Sequence, residues 1–167
     1  MLIYRKIVLL CLLLALSFLL LACNGQKGVT AEEAVLAMCQ AEKPLPDGKL
    51  YVRSAALDDE KAISDTLLSA LYGNGMLPPE LDEVSDAAFY ISYTSPVEFA
   101  AFQCKSRDST EAVAALCHQR LDILRSVRTE DADIPYLERA EITVCGRWVI
   151  LCISSDTDAV IRAFKRL

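Results

Sequence analysis

The feature that most constrains this chain is a repeated change in the spacing of its apolar residues after Ala87. There the period is two: Phe89, Ile91 and Tyr93 point one way and Tyr90, Ser92 and Thr94 the other, until Ser95-Pro96 breaks the run. Residues 97–105 read as the next strand, expected to pair antiparallel with the first. The period then lengthens in a helix that starts at residues 108–111 and runs to about Arg128. Its apolar stripe is Val113, Leu116, Cys117, Leu121, Leu124 and Val127, with Glu111, His118, Asp122 and Arg125 opposite. Residues 141–145 and 148–153 return to strand spacing, joined by Gly146-Arg147, where glycine supplies the positive φ of a type II′ turn. In that register Ile142, Val144, Val149, Leu151 and Ile153 share the core face. Ser155 or Asp156 caps a last helix anchored by Val160, Phe164 and Leu167, with Lys165 and Arg166 suited to its C-terminal dipole. The order β-β-α-β-β-α predicts an α+β domain: a four-stranded, mainly antiparallel sheet with helices on one face.

Upstream, Thr30-Ala31-Glu32-Glu33 has capping-box spacing and opens a helix to about Ala41. Pro44, Pro46 and Gly48 end it, and residues 50–52 are too short to assign. Asp58 and Asp59 precede the helical stripe Ile63, Leu67, Leu68 and Leu71, which Gly73 and Gly75 stop. Pro78-Pro79 begins a short turn carrying Leu81 and Val84. Residues 30–167 therefore read as one domain preceded by N-terminal helices, with residues 23–29 a tether that spans at most about 20 Å.

Composition separates the first residues from the rest. Residues 1–22 hold 19 apolar side chains, whereas the remaining 145 hold 70, an ordinary globular proportion that excludes a disordered, collagenous or polytopic membrane chain. All 23 acidic residues but only 15 of the 17 basic ones lie after residue 22, a net charge of −8 that argues against a nucleic-acid partner. Arg5 and Lys6 precede residues 7–22, in which Ser17 is the only polar side chain, the layout of a secretion signal. As a helix those 16 residues reach about 24 Å, short of the roughly 30 Å hydrocarbon layer.

The run ends in Leu20-Leu21-Ala22-Cys23, which resembles the lipobox of bacterial lipoproteins, with Leu20 and Ala22 at its aliphatic-or-small positions. The resemblance implies that the signal is cut before Cys23, that Cys23 carries a diacylglyceryl thioether, and that the domain sits on the extracytoplasmic face of the cell membrane. Each buried methylene contributes about 0.8 kcal/mol of membrane affinity, so one chain holds marginally and two or three hold durably. The alternative is a signal cut by the general peptidase, with Cys23 its last residue.

Roughly residues 60–167 also resemble an uncharacterised domain family of small lipoproteins from Firmicutes, especially clostridia. The resemblance is carried by Leu71-Tyr72-Gly73, Phe89-Tyr90-Ile91-Ser92, Glu98-Phe99-Ala100-Ala101-Phe102, the long helix and the final hairpin with its Asp-rich cap. Asn74-Gly75-Met76-Leu77 and the double proline after it depart from the shorter Gly-Ile-Asp-Pro turn of the family. That family has no established activity, so the resemblance implies location and domain class and transfers no catalytic residue or cofactor.

Catalytic signals are sparse. With Cys11 in the signal and Cys23 lipidated, Cys39, Cys104, Cys117, Cys145 and Cys152 remain, an odd number. In the hairpin register Cys145 faces Trp148 and Cys152 faces Glu141, about 13 Å apart, too far for a disulfide. Cys117 sits on an apolar stripe, and mostly reduced, buried thiols are expected, with one disulfide elsewhere among the five as the alternative. No Cys-x-x-Cys is present and His118 is the only histidine, so no metal site is expected. His118 and Asp122 are spaced i, i+4 but read as a solvated pair, because no Gly-x-Ser-x-Gly elbow supplies a nucleophile. Glu80, Asp82, Glu83 and Asp86, and Glu130-Asp131-Asp133, lack the spacing of a calcium loop. One surface resists a bland reading. Thr143, Cys145, Trp148, Ile150 and Cys152 on the outer hairpin face, with Phe102 and Cys104 expected beside them, are too apolar to stand bare. Either the helix after Thr30 covers them or Trp148, Ile150 and Phe102 form an interface for an envelope protein. The sequence thus favours a non-catalytic module that binds an envelope protein or a small ligand. The alternative is a small envelope hydrolase or thiol-redox enzyme using His118 with Asp122 or an exposed cysteine.

Overall fold

A computed structural model describes residues 28–167; the signal segment, Cys23 and most of the tether lie outside the described residues. Helix α1 (Ala31–Ala41) opens on the expected capping box: Thr30 Oγ1 accepts from the Glu33 amide at 3.1 Å, and Glu33 Oε2 accepts from the Thr30 amide at 2.8 Å. Strand β1 (Gly48–Val52) follows, then α2 (Asp65–Tyr72). The N-cap of α2 is Ser64, whose side chain accepts from the Leu67 amide. Asp59 instead closes its own turn onto the Lys61 amide at 2.8 Å, which is why the helix starts later than the aspartates suggest. A 3-10 turn (Pro79–Glu83) leads into β2 (Val84–Ser92), β3 (Glu98–Cys104) and the long α3 (Thr110–Val127). The short α4 (Ile134–Glu138) precedes the hairpin β4 (Glu141–Cys145) and β5 (Trp148–Ile153), and α5 (Thr157–Lys165) ends the chain.

The sheet has five strands, not the four expected, in the order β1-β2-β3-β5-β4 with every neighbouring pair antiparallel. The extra strand is the unassigned stretch around Leu50, which lies opposite Tyr90 in β2. Its own sequence is too short to declare a period, and pairing with the β2 edge is what makes it a strand. The approach is close: a Cβ on Gly48 would stand 2.5 Å from the Ile91 carbonyl oxygen, so glycine is required there. The final hairpin has the expected register and turn, but Val144, expected on the core face, is 50% exposed on the edge strand β4. Cys145 opposes Trp148 and Glu141 opposes Cys152, and Gly146 takes φ +63° while Arg147 stays at negative φ, the pattern of a type II′ turn.

Helices cover both faces of the sheet, which corrects the one-sided arrangement. On one face Phe89, Phe102, Val149, Leu151 and Ile153 pack against α2 and α3, with Tyr72, Phe89 and Phe102 in mutual ring contact at centroid distances of 5.2 to 5.8 Å. On the other, Tyr90, Phe99, Ala101, Ile150 and Trp148 pack against α1 and α5. The cause lies in the central strands. Every residue of β5 is buried, so Trp-Val-Ile-Leu-Cys-Ile shows no polar side that could face water.

Candidate functional site

Lys43-Pro44 and Pro46 stop α1 at Ala41 and leave Glu42 as its C-cap in extended backbone. Because α1 packs on α5 across the second face, that cap is carried against the β5–α5 turn, more than a hundred residues away in sequence. Glu42 is buried there, with 4% of its surface exposed. Ser154 Oγ donates to Glu42 Oε2, and Ser155 donates to Oε1 twice, from its amide at 3.2 Å and from its hydroxyl at 2.8 Å. The turn is itself fixed, since Ser154 Oγ accepts from the Asp156 amide at 2.9 Å and Asp156 Oδ1 caps α5 through the Ala159 amide at 3.0 Å.

Beside this carboxylate lies a cavity of about 300 Å³. Pro44, Pro46, Val97 and the partly buried ring of Tyr136 give it carbon walls, Ser95 and Ser155 give it hydroxyls, and exposed Lys43 also lines it. Tyr136 is delivered by α4, a helix the residue pattern does not announce. It is held by Arg125 Nη2 donating to the Leu137 carbonyl at 3.1 Å and by the Arg128–Asp133 ion pair at 3.1 Å. A second cavity of about 440 Å³ is also lined by Ser155 and by Arg139, whose Nη1 donates to the Ser155 carbonyl at 2.9 Å.

Glu42 occupies an electrostatically poor position. A helix C-terminus carries partial negative charge, the last turn of α1 holds no basic residue, and among the described residues no Lys, Arg or His forms an ion pair with Glu42. Burial above all, with the Glu42 charge a smaller cause, pushes the Cys39 thiol up to about 12 and the Cys152 thiol higher still. Three donors occupy three of roughly four acceptor positions of the carboxylate, so the group is well oriented and about one position is left.

The residues singled out from sequence fall elsewhere. Trp148 and Ile150 lie beneath α1 and α5, 3% and 0% exposed, and Phe102 lies on the opposite face, level with Val149 and packed on Tyr72. Three residues placed on one surface are thus split between two covered faces. The reason is register: β3 pairs Ala101, not Phe102, with Ile150. His118 and Asp122 are both exposed on α3, and Asp122 pairs with Arg125 at 3.6 Å. All five described cysteines are free thiols, with Cys145 half-buried and the others buried. Neither cavity above is lined by His118 or by a cysteine. A different polar group is buried in the first face: Arg120 makes a two-pronged contact with Glu98 at 2.7 to 3.2 Å, beside a Tyr72 hydroxyl that lacks a well-formed hydrogen bond. Glu42 went unnoticed in sequence because its partners are distant, although an acidic residue after a helix with no basic last turn is the available signal. Comparison with family models, curated proteins and solved structures finds no match.

Proposed function

We propose that this chain is a lipoprotein anchored through Cys23 on the extracytoplasmic face of the cell membrane, and that its α+β domain is a binding module rather than an enzyme. The anchoring half rests on Leu20-Leu21-Ala22-Cys23 at the end of an apolar run. The binding half rests on one observation: a ligand-sized cavity lined by a buried carboxylate that serine donors orient and that has no ion-pair partner among the described residues. The residues that line the cavity include no His or Cys, and the Ser155 hydroxyl is held by the Glu42 carboxylate, so no Ser-His or Cys-His arrangement is present there.

Replacing Cys23 with Ser tests the anchor. The variant is expected to leave the membrane fraction or to stay there with its signal uncut, while the parent protein partitions into detergent. Normal processing with unchanged partitioning, or a bare thiol on Cys23 in the mature protein by mass spectrometry, contradicts it. Crosslinking in native membranes tests whether an envelope protein is the partner of the domain.

A further inference from the structure

We infer that the cavity at Glu42 binds the ammonium group of a small monovalent primary amine with a short aliphatic tail; this rests on the binding-module reading above. The charge comes from Glu42, whose carboxylate is buried at a helix C-terminus and unpaired with any cation among the described residues. A ligand cation removes the cost of that charge, which serine hydroxyls alone do not.

Acceptor arithmetic narrows the cation. Oε1 takes both donors from Ser155, and Oε2 takes the one from Ser154, so about one acceptor position remains, on Oε2. One N–H of an ammonium group fills it. A guanidinium fork needs two acceptors in parallel and finds only one. A metal ion needs several ligands at once, and no group of three His, Cys, Asp or Glu able to hold one occurs among the described residues. Pro44, Pro46, Val97 and Tyr136 suit a few methylene groups, and about 300 Å³ is the small end of the range for ligand cavities. Exposed Lys43 in the lining repels a second positive charge, which disfavours diamines.

The test is calorimetric titration of the full chain in detergent micelles, in phosphate buffer free of other amines, with n-butylammonium as probe and n-butanol and n-butylguanidinium as comparators. Saturable n-butylammonium binding, about tenfold or more tighter than either comparator, is expected. Glu42→Gln should weaken it about tenfold or more. Because that variant also disturbs the serine turn, Lys43→Glu serves as the second: it changes an exposed residue of the cavity lining that has no part in the serine-turn hydrogen bonds above, and should tighten n-butylammonium binding several-fold at low salt. The inference is overturned by absence of saturable binding, by n-butanol or n-butylguanidinium binding as tightly, or by Lys43→Glu leaving the affinity unchanged or lower. A chain that ignores amines yet crosslinks to a defined envelope protein sinks this inference and leaves the binding-module reading standing. A bare thiol on Cys23 would sink the anchor instead.

Discussion

Single residues differ most here in whether a buried charge has a partner. The Arg120–Glu98 pair is closed and two-pronged, with side chains 11% and 3% exposed. Arg120→Met strands a carboxylate in the core and should cost about 3 to 5 kcal/mol in denaturant titration, whereas Arg120→Met combined with Glu98→Met should cost much less. Equal losses in the two variants would mean that the pair is not held dry. The thiols give a second test. Burial raises Cys39, Cys104, Cys117 and Cys152, so all four are protonated and unreactive near neutral pH, and half-buried Cys145 alone of the five is expected to alkylate in the folded protein. A thiol raised from about 9 to about 12 in the fold holds its proton more tightly there than in the unfolded chain. Its contribution to stability is therefore complete below pH 9 and fades as pH rises toward 12. Flat stability across that window would contradict the burial of Cys39.

Elements that carry their own stop and start signals form where the sequence places them. Thr30 with Glu33, and Asp156 with Ala159, satisfy the first amides of α1 and α5 locally, and Gly146 turns the final hairpin by itself. Thr30→Ala should lower stability by about 1 kcal/mol and speed amide exchange in the first turn of α1, leaving β5 protected. Uniform loss of protection would show that α1 does not open separately. Elements without such signals form for reasons outside themselves. β1 exists because β2 has an edge to offer, and α4 exists because Arg125 and Arg128 hold its two ends. Both were therefore invisible to periodicity, and α4 is the one that brings Tyr136 to the cavity.

At the scale of the whole molecule, the two-sided sheet makes α1 part of the core and not a spacer. Val35 and Met38 are fully buried against the second face, over Trp148 and Ile150. Val35→Asp should detach α1 and expose that face. The measurement is clean because Trp148 is the only tryptophan: its emission should move to longer wavelength, with new binding of a hydrophobic dye. An unmoved emission maximum would mean that α5, whose Phe164 ring lies 6.0 Å from Trp148, covers the face alone.

The sequence by itself determined the parts whose information is local. These are the α+β class, the β-β-α-β-β-α order from β2 onward apart from the short α4, the caps of α1 and α5, the hairpin register, and the composition break and cysteine junction on which the anchoring proposal rests. Periodicity, capping and turn chemistry act over a few residues and can be read there. The tertiary structure alone decided which neighbour each strand takes, that the sheet is covered on both sides, and that Trp148 and Phe102 lie on opposite faces. It also decided that Glu42 meets Ser154 and Ser155 beside Tyr136. Those juxtapositions arise from packing across more than a hundred residues of chain, and no local pattern records them.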